Sequence, residues 1–134
     1  MRNYCPSEET RHELAKKDFI NLDIWGRGMD AKLFSPELRS QQFIEENGLK
    51  DKISLLYVGR LAKEKNLSLL IESFKRLNQK YEKKIELIIT GDGQELKSLQ
   101  QELPENVIFT VFKSGPNLSQ IYASVDIFAF SFSD

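Results

Sequence analysis

Four short apolar runs, separated by segments with helical spacing, dominate the second half of the chain. Runs rich in β-branched and aromatic residues predict buried strands, because strands covered on both faces lack a regular polar alternation. The segments between them carry apolar residues three and four positions apart, as one face of a helix does. The predicted strands are Ile53–Val58, Ile85–Thr90, Val107–Val111 and Val125–Phe130, and the predicted helices cover 67–77, 96–103 and 118–122.

The alternation of strand and helix from Ile53 onward predicts the fold class. It requires a parallel sheet with helical crossovers, so we expect a Rossmann-like α/β domain. Phe128, Phe130 and Phe132 alternate along the last predicted strand, and we expect them to be core residues. No helix follows this strand to cover the sheet. We therefore expect an incomplete domain that is marginally stable or prone to associate.

The first half of the chain has a less regular pattern. Ser7 precedes two glutamates and predicts the start of a short helix. The segment 19–25 reads as an extended strand that ends in a glycine-containing turn. Ser35 and Pro36 predict the start of a further helix, and Gly48 predicts its end.

Composition excludes several classes of protein. The chain has 134 residues, 40% of them apolar and 29% charged, which is typical of a globular domain. A net charge of -1 argues against a nucleic-acid partner. A single Cys and a single His exclude a disulfide framework and a Cys-rich zinc site, and we expect no metal. No signal peptide or transmembrane segment is visible, so we expect a cytoplasmic location.

The segment after the first predicted strand of this series carries candidate chemistry. Gly59 permits a close turn, three cations follow at Arg60, Lys63 and Lys65, and Asn66 opens a helix. Ligands of doubly wound sheets bind outside the carboxyl ends of the strands, and this combination suits a phosphate or diphosphate. A solvated charged loop explains the same residues equally well.

The turn after the next predicted strand is Gly91-Asp92-Gly93. A lone G-x-G indicates a dinucleotide site only weakly, and a tight strand-to-helix turn is the alternative. The chain has no phosphate-binding loop of the ATPase type and no common hydrolase signature.

Five sets of residues, taken in order along the chain, form recognisable motifs. They are Cys5-Pro6-Ser7, Arg27–Asp30 with Leu33–Pro36, Val58–Leu61 with Glu64–Leu67, Ile89–Gly93, and Ile121–Phe128. These motifs resemble those of family 4 glycosyltransferases over essentially the whole chain, and in appearance the chain is most similar to bacterial mannosyltransferases and sulfolipid synthases.

The resemblance implies a GT-B fold, in which two Rossmann-like domains enclose the active site. Residues 1–34 would be the interdomain crossover segment, and 35–134 the first part of the C-terminal domain that binds the nucleotide sugar. The chain would be a truncated fragment of a retaining glycosyltransferase, and we expect no turnover by the fragment alone. A non-catalytic nucleotide- or phosphate-binding Rossmann-like module is the alternative.

The resemblance also implies partners. The donor would be a UDP-, GDP- or ADP-sugar, with no cofactor and no metal. The acceptor of the full-length protein would be a glycan or a lipid, which would associate the whole protein with a membrane through parts outside this sequence.

Site residues carry over by motif. Arg60 and Lys65 would bind the donor diphosphate and stabilise it as it leaves, and Glu64 would orient Lys65 or the loop. Around them, the donor would also contact Gly28, Gly59, Asp92, Gly93 and Lys113.

Two departures from the family pattern stand out. Phe112 replaces a family glycine beside the base-binding segment 111–113. The E-x7-E segment, which binds sugar and ribose in the family, is absent or reduced to Asp134.

Overall fold

The computed structural model describes residues 2–26, 28, 30–82, 84–103, 106–111 and 113–131. The chain divides into two compact units, Met1–Ala31 and Lys32–Asp134.

The first unit contains one helix between two short parallel strands. Strand β1 (Asn3–Cys5) pairs with β2 (Leu22–Ile24), and α1 (Glu8–Ala15) connects them. The helix predicted after Ser7 is confirmed, and the Ser7 hydroxyl accepts a hydrogen bond from the Thr10 amide at 3.2 Å. The extended segment is shorter than predicted, and β1 is too short to leave a pattern in the sequence.

The second unit is built on a parallel sheet of four strands. These are β3 (Ile53–Val58), β4 (Ile85–Thr90), β5 (Val107–Thr110) and β6 (Ile127–Phe128), in the order β5-β4-β3-β6. The predicted Rossmann-like parallel sheet is therefore confirmed. The chain enters β6 on the far side of β3, so the direction of winding changes between β3 and β6.

Helices cover both faces of this sheet. They are α2 (Gln41–Glu46), α3 (Leu67–Lys80), α4 (Leu96–Glu102) and α5 (Gly115–Ser124), with short 3-10 helices at Pro36–Leu38 and Lys63–Lys65. Successive side chains of a strand point to opposite faces, and two apolar clusters result. One unites α3 and α4 with the sheet through residues that include Leu55, Tyr57, Leu70, Phe74 and Leu99. The other lies on the opposite face and is formed by Ile44, Leu49, Leu56, Ile88 and Ile121.

Two predicted helices differ from the structure at their ends. The helix expected from Ser35 to Gly48 is interrupted, because Arg39 and Ser40 adopt extended backbone between Pro36–Leu38 and α2. Asn66 precedes α3 as predicted but gives no side-chain cap, because its backbone is left-handed with φ at 47°.

The prediction that the phenylalanines of the last strand are core residues is wrong for Phe128 and Phe130. They are 47% and 48% exposed, while Phe132 lies outside the described residues. Strand β6 has only two residues, and its pairing partner is β3 on one side. The two exposed rings pack on one another instead, with their centroids 6.1 Å apart, and Phe128 also packs on the half-buried ring of Tyr122 at 5.5 Å.

Candidate functional site at the carboxyl ends of the central strands

Pairing between β3 and β4 continues beyond their ends and fixes the two following turns. The Gly59 amide donates to the Thr90 carbonyl at 3.1 Å, and the Leu61 amide donates to the Asp92 carbonyl at 2.8 Å. The Glu95 amide then donates to the Leu61 carbonyl at 3.0 Å. These hydrogen bonds join the turn at residues 59–61 to the turn at residues 91–95. Together the two turns form a rigid shelf at the edge of the sheet, and we call them the shelf.

Close backbone contacts explain the glycines of the second turn. A Cβ on Gly93 would lie 2.2 Å from the Leu61 carbonyl oxygen, nearer than any real side chain approaches. Gly93 also takes φ of 156°, which side-chain-bearing residues rarely adopt. The Asp92 carboxylate accepts a hydrogen bond from the Gly93 amide at 2.7 Å. The G-x-G pattern thus has a structural reason that is independent of any ligand.

A cavity of about 420 Å³ opens above this shelf. It lies at the carboxyl ends of β3 and β4 and beside the segment that connects β5 to α5. Its volume lies in the range typical of small-molecule sites. Four of the predicted site residues meet in its lining, and six residues that sequence reasoning did not select join them. The predicted four are Gly59, Arg60, Asp92 and Lys113, and the others are Val58, Thr90, Gly91, Ser114, Gly115 and Leu118.

Two cations, Arg60 and Lys113, and the carboxylate of Asp92 line the cavity and set its charge. Arg60 is exposed and forms an ion pair with Glu64 at 2.8 Å, while Lys113 is half-buried. The structure thus pairs Glu64 with Arg60, a residue of the loop that the sequence predicted Glu64 to orient, with Lys65 as the alternative. Since the guanidinium lies at the surface, an incoming anion can replace the carboxylate at little cost.

The helix after the cavity adds a second source of positive potential. Helix α5 begins at Gly115, and Ser114 at its cap position makes no side-chain capping hydrogen bond. Amides at the start of a helix carry partial positive charge and favour anions. The dipeptide Gly115-Pro116 after Ser114 was the available signal for this helix start, because proline is common in the first turn.

The cavity also has an apolar part, formed by Val58 and Leu118. Thr90 sits between this part and the second turn, and its hydroxyl lies 2.7 Å from the Thr110 hydroxyl. A ligand that combines an anionic group with a flat apolar group matches such a lining.

Three predicted site residues lie outside this lining. Lys65 is half-buried in the short helix Lys63–Lys65, and its carbonyl accepts a hydrogen bond from the Ser131 hydroxyl at 2.5 Å. Gly93 supports the second turn. Gly28 belongs to the first unit, with no atom within 4 Å of the place of its Cβ. Phe112 and Asp134 lie outside the described residues.

A larger groove, of about 540 Å³, runs between α3 and α4 and includes Lys63. This groove lies away from the strand ends, and its lining carries charges of both signs. The charged residues are Lys63, Lys75, Glu72, Glu95 and Glu102. Ligands of open α/β sheets bind at strand ends, so the cavity above the shelf is the stronger candidate despite its smaller size.

Within the residue ranges that the structure describes, no group of three or more His, Cys, Asp or Glu side chains is placed to hold a metal ion. Among the helices of the same ranges, none has the length and apolar character needed to span a membrane.

Comparison with known proteins agrees with this architecture. A sequence model of the family described as "Glycosyl transferases group 1" matches residues 39–133. A GDP-mannose-dependent alpha-mannosyltransferase of Corynebacterium glutamicum is 35% identical over 131 residues, which are 96% of this chain and 30% of that protein. The sulfoquinovosyl transferase SQD2 of Arabidopsis thaliana is 37% identical over 112 residues, 80% of this chain and 21% of that protein.

Among solved structures, the chain resembles Anabaena Alr3699/HepE in complex with UDP. The TM-score is 0.72 at 20% sequence identity, over 95% of this chain and 37% of that one. This likeness concerns the fold. The chain spans about a third or less of the length of the relatives and of the solved structure named here.

Proposed function

The chain belongs to the group 1 glycosyl transferase family, and we propose that it supplies the donor-binding part of an enzyme that transfers a sugar from a nucleotide sugar. In this proposal the cavity above the shelf receives the nucleoside diphosphate portion of the donor. The reaction proceeds with retention at the anomeric carbon, as the family 4 resemblance implies. The acceptor is a glycan or a lipid.

One observation carries the proposal. The cavity brings Arg60, Lys113 and the start of α5 together at the ends of β3 and β4. These groups come from two separate segments of the chain, the turn after β3 and the segment that runs from Lys113 into α5, and all three favour negative charge. A diphosphate is the anion that such a set suits best, because its several oxygens can engage each group at once.

The chemistry of the transfer explains why cations are needed. When the bond between the sugar and the diphosphate breaks, negative charge builds up on the departing diphosphate. Fixed cations stabilise that charge in the transition state more than in the bound donor. In our proposal Arg60 performs this task from the cavity lining and releases Glu64 as the diphosphate enters. Lys65 lies outside the lining in the adjacent short helix, and we assign it the same task because the family resemblance implies it.

The rest of the cavity suits the nucleoside. Val58 and Leu118 offer an apolar surface for a base, with Lys113 and Ser114 beside it. We assign the turn with Asp92 and Gly93 to contact with the ribose. Gly59 has no side chain, so the phosphates can approach its backbone. Two relatives guide the choice of nucleotide, since the Corynebacterium enzyme is named as GDP-mannose-dependent and HepE was solved with UDP. We therefore propose UDP or GDP, with ADP as the comparison.

Residues 1–34 are assigned to the interdomain crossover and residues 35–134 to the first part of the donor domain. Gly28 would line the cleft from the crossover side. We expect no turnover by this chain alone, so its binding of donor nucleotide is the property to measure.

The test is a calorimetric or NMR titration of the chain with UDP, GDP and ADP. We expect Arg60→Ala and Lys65→Ala each to weaken binding by about tenfold, the cost of removing one charged hydrogen-bond donor. Arg76→Ala is the matched control, because Arg76 is another exposed arginine paired with a glutamate four positions away. Absence of binding, or binding indifferent to Arg60 and Lys65, would contradict the proposal.

A non-catalytic nucleotide- or phosphate-binding module is the second candidate. The G-x-G turn and the cavity are equally compatible with it. An assay of the full-length protein with UDP- and GDP-sugars separates the two candidate functions. Only the transferase would cleave the donor and release its sugar.

A further inference from the structure

The peptide group between Arg60 and Leu61 is held on both of its polar atoms. Its carbonyl oxygen accepts a hydrogen bond from the Tyr57 hydroxyl at 3.2 Å and a second from the Ala62 amide at 3.2 Å. Its N–H donates to the Asp92 carbonyl at 2.8 Å. The direction in which the Arg60 side chain leaves the backbone is therefore set by the groups on either side of this peptide.

Tyr57 makes its contact from inside the core. It lies on β3 beside Ile89 of β4 and is 1% exposed, within the apolar cluster that α3 and α4 cover. A phenylalanine would fill the same volume among these neighbours. Packing alone therefore does not explain why this residue carries a hydroxyl group. A buried hydroxyl needs a hydrogen-bond partner, and the partner here is the Arg60 carbonyl.

The hydroxyl also stays protonated, as a donor must be. Burial raises the pKa of the Tyr57 phenol above its usual value of 10.0, and the negative charge of Glu64 raises this pKa further. At neutral pH the phenol thus keeps its proton and donates a hydrogen bond to the Arg60 carbonyl.

Gly59 completes the arrangement. A Cβ on Gly59 would lie 2.8 Å from the Tyr57 hydroxyl oxygen and 3.2 Å from the ring carbon that bears it. The hydroxyl therefore occupies the space that a side chain at position 59 would need. The Tyr57 hydroxyl therefore fits because position 59 is glycine, and it contacts the Arg60 carbonyl from this space.

We propose that Tyr57 is a positioning residue for donor binding: its hydroxyl holds the Arg60–Leu61 peptide so that the Arg60 guanidinium points toward the diphosphate. This inference rests on the proposed function, since it gives Tyr57 a role only through Arg60. Tyr57 is buried beneath the turn and contacts no ligand itself.

Tyr57→Phe tests the proposal, because it removes the hydroxyl and keeps the ring. We expect UDP or GDP to bind about threefold to tenfold more weakly, as the loss of one hydrogen bond implies. Tyr122→Phe is the matched control, since Tyr122 is a partly buried tyrosine that packs against Phe34 and Phe128 and lies outside the cavity lining. Its affinity should equal that of the wild-type chain.

A double-mutant cycle with Arg60→Ala separates positioning from general support of the fold. If Tyr57 acts through the guanidinium, Tyr57→Phe should change the affinity by less than about twofold once Arg60 is alanine. An equal loss in both backgrounds would overturn the proposal, as would unchanged affinity in Tyr57→Phe. Wild-type chain that binds no nucleoside diphosphate would instead overturn the proposed function.

Gly59→Ala gives a second route to the hydroxyl, and the single variant does not require Tyr57→Phe to fold. The added methyl displaces the hydroxyl without removing it, so nucleotide affinity should fall. In a chain that also carries Tyr57→Phe, the methyl has more room, and its additional cost should become smaller. Wild-type affinity in Gly59→Ala would contradict the role of the hydroxyl.

Discussion

A Cβ atom on Gly91 would lie 2.0 Å from the carbonyl oxygen of Gly59. The backbones of the two turns cannot move apart to make room for this atom. The Gly59 amide donates a hydrogen bond to the Thr90 carbonyl, and the Gly91 amide donates one to the Thr110 carbonyl. Gly91 also has φ of 155°, which disfavours any side chain. The shape of the cavity floor therefore depends on glycine at this position.

Gly91→Ala should destabilise the second unit by about 2 kcal/mol or more, through steric overlap added to backbone strain. Gly48→Ala is the control, since Gly48 also has positive φ, at 61°, but no atom within 4 Å of the place of its Cβ. It should cost only about 1 kcal/mol. Urea denaturation, monitored by circular dichroism, measures the change in the free energy of unfolding of both variants. Equal costs for the two variants would show that the close approach of the turns does not matter.

Glu64→Gln should tighten nucleotide binding by roughly twofold to fivefold, because the carboxylate competes with the diphosphate for Arg60. The exposed Arg60–Glu64 pair contributes little to stability, so folding should be unaffected. Titrations with UDP or GDP at low and high salt measure the effect, which should shrink at high salt.

Glu72→Gln is the control for that experiment, because Glu72 forms a comparable exposed pair with Arg76 on α3. It should leave affinity unchanged. Weaker binding in Glu64→Gln would mean that the glutamate holds Arg60 in its productive position instead of competing for it.

Lys52→Ala should destabilise the chain by about 3 kcal/mol. Lys52 forms an ion pair with Glu86, whose side chain is only 6% exposed, so removal of the lysine leaves a carboxylate buried without its counter-charge. Arg76→Ala, which breaks an exposed pair, should cost less than about 1 kcal/mol. Thermal or urea unfolding distinguishes them. The double variant Lys52→Met with Glu86→Leu should regain most of the loss, and failure to do so would point to a different role for Glu86.

Stability should decrease above pH 10. Burial raises the pKa of Tyr57 and of Tyr122 above 10.0, so the folded chain keeps protons that the unfolded chain has lost. Their contribution is complete below pH 10.0 and is lost as the pH rises through the folded-state values. The free energy of unfolding, measured by urea at a series of alkaline pH values, should fall less steeply in Tyr57→Phe and least in the double variant with Tyr122→Phe. Parallel curves for wild type and Tyr57→Phe would contradict this origin.

The regular part of the fold could be read from the sequence. The bounds of β3 and β4 agree with the predicted runs, because central parallel strands are buried on both faces and show as unbroken apolar segments. The exposure of Phe128 could not be read, because an alternating aromatic pattern does not reveal whether a face has a covering layer. The left-handed backbone of Asn66 was likewise hidden, since Asn is common both at caps and in this conformation.

The candidate site was only partly readable. Gly59, Arg60 and Asp92 follow strands, so their meeting at one edge of the sheet was predictable from topology. The pairing of Glu64 with Arg60 depends on side-chain geometry that spacing alone leaves open. Tyr57 was hidden because its hydroxyl belongs to a residue that the apolar pattern assigns to the core. The ligand roles of all these residues remain predictions.

In our proposal a nucleoside diphosphate binds in the cavity above the shelf. An amide NMR titration of the chain with UDP and with GDP, read at the glycines, tests this binding most directly. We predict saturable shifts at Gly59, Gly91 and Gly115, which line the cavity, and unchanged resonances at Gly48, which does not. No saturable shift with either nucleotide, or shifts confined to residues of the groove between α3 and α4, would contradict the account.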